Sequence, residues 1–249
     1  MLVSKNFKLT REKTKELLHR LETYNDEAIT IFLPSNLSTE SISAFFKKTE
    51  KTRSIPYDAI RLAASSATGS MLFWGMTQRY LISPPFPVKE QYIINGFETE
   101  PLLSMLSKDY LIGIVLIRLG HYSIGVCHGE KLILHDSGTG LVHGRQRQGG
   151  SSAARFQRRR QDQTHHFLER VGEHLRERLE PYAKTMDYFV YGGARVTILK
   201  LQKQVPFLNQ FSKRLLPPLL DIPDPRFTVL EKVVTDIWSS KVTEWHEDI

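Results

Sequence analysis

Apolar residues recur along this chain with two periods, and the switches between them mark its elements. Over residues 8–24, Leu9, Leu17, Leu18 and Leu21 form one stripe amid charge, which predicts a helix. Residues 28–33 are a short apolar run stopped by Pro34 and read as a strand. A short helix opens at Ser38, Thr39 and Glu40 and runs to about residue 48, with Ile42, Phe45 and Phe46 on one side. Another begins at Pro56, runs to about residue 67 and stops at Gly69. Residues 71–74 and 79–82 read as strands around a turn at Gly75. After the breaks at Pro84, Pro85 and Pro87, residues 91–95 are a further strand, and 101–106 start a short helix.

The pattern then changes. Residues 111–117, 122–126 and 131–135 read as three strands joined at Gly120 and at His128-Gly129-Glu130, joints tight enough for an antiparallel meander. Asp136-Ser137-Gly138-Thr139 reads as a turn. From about residue 152 to 180, Phe167, Leu168, Val171, Leu175 and Leu179 recur at helical spacing until Pro181. Residues 188–191 are a strand closed by Gly192-Gly193, two shorter helices occupy 196–216, and Pro217-Pro218 stops them. A last strand is expected over 219–222. Asp224 then caps a final helix with Pro225 at its first position and Phe227, Leu230, Val233, Val234, Ile237 and Trp238 facing inward. This order predicts an α/β chain with a mixed sheet: a smaller α/β N-terminal domain over residues 1–103 and a second domain over 104–249.

Composition adds little: 41% apolar and 24% charged residues are ordinary for a globular chain of 249 residues. No secretory signal stands at the N-terminus, and the longest apolar run, 110–117, is too short to cross a bilayer as a helix. The single cysteine, Cys127, can make no internal disulfide and reads as a small buried residue of a cytoplasmic protein.

Charge changes the picture. The formal net charge is +7, and six arginines (Arg145, Arg147, Arg155, Arg158, Arg159 and Arg160) fall between residues 144 and 160 without one acid. A patch this concentrated points to a polyanion docked at one place. Within it, Gly149-Gly150 let backbone amides approach a substrate, and a helix opening just afterwards aims its positive end at the loop. Arginines on both flanks can hold phosphates, and amides at such a tip could stabilise an oxyanion at an ester carbon. A solvated surface loop with charged flanks is the plain alternative.

His143-Gly144-Arg145, then Gly149-Gly150, then Ser152-Ala153, Arg155-Phe156, Arg158 and Arg160 follow in order. This segment resembles the middle domain of eukaryotic and archaeal class I peptide-chain release factors, whose pattern runs His-Gly-Arg, Gly-Gly-Gln, Ser-Ala-x-Arg-Phe-x-Arg-x-Arg. The flanking strands, the long helix and Tyr191-Gly192-Gly193 extend the likeness over roughly residues 70–249. It implies a ribonuclease H-like, mixed-sheet middle domain. Two departures matter. Ser151 occupies the family's glutamine position, and Gln146, Arg147 and Gln148 are inserted before the glycines. Both bring the chain closer to the Vms-type release-factor-like proteins of ribosome-associated quality control.

That resemblance implies a cytoplasmic peptidyl-tRNA hydrolase freeing nascent chains on stalled ribosomes or large subunits. Its partners would be the large subunit, peptidyl-tRNA and rRNA, and it would be a monomer without cofactor or membrane contact. Gln148 is the first candidate for the active glutamine and Gln146 the second, with Gly149, Gly150 and Ser151 completing the tip. Arg145, Arg147, Ser152, Arg155, Arg158, Arg159 and Arg160 would contact RNA. Some relatives are thought instead to cut tRNA near its CCA end, and Ser151 leaves that chemistry open, as it does a non-catalytic binding module. No Asn-Ile-Lys-Ser codon-reading string occurs in the sequence, so a factor that reads no stop codon is expected.

Other constellations are weaker. His165 and His166 diverge by about 100° on a helix and cannot easily share a metal, so no metal is expected. His121, His128 and His135 lie near the meander without Cys or acid at metal spacing. Asp136-Ser137-Gly138-Thr139 spells an aspartic-protease signature, but that chemistry needs two carboxylates sharing a proton. Trp74 and Trp238 have core-like spacing; Trp245 is left to packing or base stacking. Tyr110, Phe167 and Phe189 read as core.

Overall fold

A computed structural model describes residues 2–24, 27–48, 50–142 and 153–247. Two compact units emerge, one of Met1–Lys108 with Thr235–Ile249 and one of Asp109–Val234.

The first unit contains β1 (Leu2–Leu9), α1 (Arg11–Glu22), β2 (Ile29–Leu33), α2 (Thr39–Phe46), α3 (Tyr57–Ala64), β3 (Ser70–Trp74), β4 (Arg79–Ser83), β5 (Tyr92–Asn95) and α4 (Glu100–Ser107). The second holds β6 (Leu111–Arg118), β7 (His121–His128), β8 (Lys131–Thr139), α5 (Ala153–Leu179), β9 (Tyr188–Gly193) and α6 (Arg195–Gln204). The division falls inside α7 (Phe227–Ile237), and β10 (Ser240–Glu247) belongs to the first unit.

Among the described residues the first unit forms one antiparallel sheet in the order β1-β10-β4-β3-β2-β5. Successive side chains of a strand point to opposite faces. Ile29, Ile31, Leu33, Leu72 and Trp74 therefore pack with α2 and α3, while Phe32, Met71 and Phe73 pack with α1 and α4. Burial on both faces explains why these strands are apolar runs rather than alternating ones. Arg11 is buried beneath this layer: its Nε donates to the Leu106 carbonyl at 2.6 Å and its Nη2 to the Lys108 carbonyl at 3.1 Å, while its guanidinium lies 4.0 Å from the Trp238 ring centroid. One side chain thus satisfies carbonyls at the end of α4 and stacks on an aromatic face.

In the second unit the sheet order is β8-β7-β6-β9, with β6, β7 and β8 antiparallel and β9 parallel to β6. It is the expected mixed sheet. Phe167, Leu168, Val171, Leu175 and Leu179 form the buried stripe of α5 and meet Val115, Ile117, Tyr122 and Ile124 from the sheet, with Ile198 and Leu201 from α6.

Several sequence expectations are corrected. The first helix does not begin at residue 8: Thr10 caps it through the Lys13 amide, and Leu9 ends a strand. β10, unforeseen, pairs with β1 and β4, and residues 235–249 group with the first unit. The supposed turn at Asp136-Ser137-Gly138-Thr139 is the far half of β8, paired residue by residue with β7 from Ile124 to His121. The strand expected over 219–222 is a single bridge from Gly192 to Leu220. Phe227 is half-exposed against the His135 ring, 4.7 Å between centroids, instead of facing the core. Trp245 is buried edge-on to Trp74, 5.5 Å between centroids, and Trp238 is fully buried, so neither is placed to stack on a base.

Candidate functional site

The expected loop enters from β8 and leaves into α5. At its entry the Gly140 amide bonds the Gly120 carbonyl at 2.8 Å, prolonging the hairpin by one residue. A Cβ on Gly140 would stand 2.5 Å from both Arg170 Nη2 and Phe167 Cδ2, so glycine is what lets α5 lie this close. Arg170 Nη2 in turn donates to the Thr139 carbonyl at 3.1 Å. Val142 packs against the core while Leu141 is 74% exposed. The stem is therefore tied to the sheet and to the start of the buried stripe of α5.

Arg145, Gln146, Arg147, Gln148, Gly149, Gly150, Ser151 and Ser152 lie outside the described residues. The remaining predicted contacts all fall on α5, whose first turn holds no acid. Arg155, Arg158 and Arg159 are exposed; at spacing i, i+3 and i+4 they share one face of the helix. Phe156 beside them is 48% exposed. Arg160 is half-buried and turned away from that face, into a groove between α5 and α6. The structure thus brings three of the six arginines together and separates a fourth.

Further along α5, Arg178 Nε donates to Asp136 Oδ2 at 3.1 Å, and His174 Nδ1 lies 3.3 Å from the same oxygen without hydrogen-bond geometry. Hydrogen bonding to Asp136 holds the Arg178 pKa above its ordinary value. The carboxylate of the protease-like signature anchors α5 on the edge strand through Arg178 and, among the described residues, is not paired with a second acid. Ser137, its neighbour, shares a 2.7 Å hydroxyl contact with Ser123, whose Oγ also bonds the Pro225 carbonyl at 2.8 Å. Tyr122 has its phenol pKa raised by burial and by Asp136.

At the far side of the sheet Gly193 adopts φ +115, where a Cβ would stand 2.1 Å from the Ile117 carbonyl oxygen. Only glycine closes β9 there before α6 begins. His165 and His166 are both exposed; His166 Nδ1 lies 3.5 Å from Glu169. Among the described residues no three of His, Cys, Asp and Glu are grouped to hold a metal, and no helix is long and apolar enough to cross a membrane. Cys127 is fully buried, and burial pushes its thiol to about 12.

The α5–α6 groove escaped sequence reading. It has a volume of about 510 Å³ and is lined by Arg160, Thr164, His165 and Leu168 of α5, by Lys200 and Lys203 of α6, and by Leu119 of the β6–β7 turn. Lys200 and Lys203 are exposed on α6, and only the placement of α6 beside α5 brings them to the same groove as Arg160.

Compared with known proteins, the segment carrying this arrangement is of release-factor type. The chain belongs to the family described as the Actinobacteria/chloroflexi VLRF1 release factor, whose model matches residues 110–243. It is a Vms-type release-factor-like protein. Peptide chain release factor subunit 1 of Archaeoglobus fulgidus is 33% identical over 119 residues, covering 47% of this chain and 29% of that protein. The Thermococcus kodakarensis protein of the same name is 35% identical over 104 residues, 41% of this chain and 25% of that one. The chain therefore matches under a third of the length of these relatives. Among solved structures, the archaeal translation termination factor aRF1 aligns over 92% of this chain and 73% of its own at 17% identity and TM-score 0.42. The Vms1 mitochondrial localization core aligns over 91% and 92% at 12% identity and TM-score 0.42.

Proposed function

We propose that this protein frees nascent chains from tRNA on stalled ribosomes or large subunits by hydrolysing the peptidyl ester, without reading a stop codon. The observation that carries this is the arginine face of α5, a helix whose first turn holds no acid and which opens two residues after a diglycine segment in a release-factor family member. Arg155, Arg158 and Arg159 would hold RNA phosphates and so seat the loop. Gln148, with Gln146 as the second candidate, would orient a water molecule on the ester carbonyl carbon. Amides of Gly149 and Gly150 would stabilise the oxyanion. The carbon–oxygen bond to the terminal ribose then breaks, and the ribose oxygen takes a proton. Ser151 and Ser152 would supply hydroxyls, and the sequence from 144 to 160 holds no Asp, Glu, His or Lys that could activate either as a nucleophile.

The test is a release assay on stalled peptidyl-tRNA bound to large subunits. Gln148→Ala and Gly149→Ala should each abolish release and keep ribosome binding. Release at the wild-type rate by both would reject the loop assignment. Ser151, standing where release factors carry glutamine, favours one second reading, cleavage of the tRNA acceptor end. Intact tRNA among the products supports ester hydrolysis; tRNA lacking CCA supports the nuclease. Binding with neither product would identify a non-catalytic module.

A further inference from the structure

We infer that the groove between α5 and α6 is a second RNA site, one that takes a single-stranded segment and is distinct from the diglycine loop. Three cations converge on it, Arg160 from α5 and Lys200 and Lys203 from α6, and no carboxylate lines it among the described residues. Its lining also includes two apolar side chains, Leu119 and the buried Leu168. The exposed His165 is among its lining residues. Cations, an aromatic ring and apolar side chains are the parts with which proteins hold an unpaired strand: phosphates pair with the cations while a base or ribose covers the apolar surface. A volume of about 510 Å³ is of the order of one small ligand, too little for a duplex.

The groove is built, not incidental. Gln204 Nε2 donates to the His165 carbonyl at 2.9 Å and so fixes α6 against α5. Thr164 Oγ1 bonds the Arg160 carbonyl at 2.8 Å within the wall. Leu201 and Ile198 of α6 are buried in the same core as Leu168. Lys200 and Lys203, at i and i+3, are held on one side of a helix that cannot rotate without exposing that core. In sequence, Arg160 follows Arg158 and Arg159 directly, so an RNA strand on the arginine face has cations continuing onto a second surface. The inference rests on the reading of the chain as an RNA-contacting factor, but not on its release chemistry.

The experiment uses the full chain and a fluorescent single-stranded RNA dodecamer of mixed sequence, with affinity measured by anisotropy across a salt series. Lys200→Ala/Lys203→Ala should flatten the plot of log affinity against log salt by about 1.4 and weaken binding several-fold at about 0.1 M salt. A control of equal charge change, Lys131→Ala/Lys184→Ala, alters exposed lysines outside the groove and should keep the wild-type slope. An unchanged slope in the groove variant overturns the site, as does an equal loss in the control, which would mean diffuse charge. Thermal melting of both variants should match the wild type, since all four lysines are exposed. Peptide release by the wild type is scored in parallel. A groove effect without wild-type release would sink the release reading alone, and wild-type release with an unchanged slope would sink the groove alone.

Discussion

Replacing Arg155, Arg158 and Arg159 together by alanine tests the arginine face of α5 directly. Four residues of helix separate the first from the last, a rise of about 6 Å. That spacing suits pairing with two or three neighbouring phosphates of one strand. Each duplex phosphate that the variant leaves unneutralised should lower the slope of log affinity against log salt by about 0.9. The triple variant should therefore show a slope shallower by about 2 to 3 on an acceptor-stem minihelix. Between about 50 and 200 mM salt the affinity of the wild type should fall by roughly 10- to 40-fold more than that of the variant. All three side chains are exposed, so each substitution should cost under about 0.5 kcal/mol, and the melting temperature serves as the internal control. A full wild-type slope in the triple variant would refute the assignment of this face to RNA. So would a large fall in melting temperature, because it would mean the guanidinium groups hold the fold.

Further outcomes follow from the same structure. Gly140→Ala should destabilise the second unit by about 1–3 kcal/mol, because the buried Phe167 ring, unlike the Arg170 tip, has no room to give; Phe167→Leu should relieve part of that loss in a double-mutant cycle read by denaturant unfolding. Cys127 should resist a thiol reagent at pH 8 in the native protein and react fully in denaturant, since burial raises its pKa to about 12; rapid native labelling would contradict its place in β7. Glu22 has its carboxyl held below its ordinary value, first by the Thr99 hydroxyl and then by His19. The stability it contributes is present above the unfolded pKa and is lost as pH falls through the folded one. Thr99→Val should move the Glu22 titration, followed by NMR, upward. Arg11→Met should destabilise the first unit by about 2–3 kcal/mol, because two carbonyls lose a charged donor.

The second unit is the more legible in sequence, and the reason is burial. Its strands and α5 are covered densely enough that period and apolarity agree, as Leu111–Arg118 and the stripe from Phe167 to Leu179 illustrate. β1 hides because an edge strand needs few apolar residues: between Leu2 and Leu9 only Phe7 and the two terminal leucines pack inward. β10 hides for another reason. Val242 and Trp245 face opposite cores, so its apolar residues never form one stripe. The protease-like tetrapeptide carries Ser and Gly, turn formers by habit, yet Gly138 is needed in the strand because the Tyr122 ring occupies the space above it. As for the site, arginine content and the diglycine can be read from the chain alone. The division of those arginines between an open face and a groove cannot, since it depends on where α6 comes to rest.

The pairing of Leu2 with Glu247 has a consequence for how the molecule comes into being. On a translating ribosome, the segment from Asp109 to Val234 is complete before the other unit can acquire its second strand. Until β10 emerges, β1 has no neighbour and β4 keeps an open edge, so the two should remain vulnerable to protease and to chaperone capture. Pairings that span nearly the whole chain also close slowly. The part that carries the arginines should therefore mature first, and the unit whose sequence it interrupts should close last.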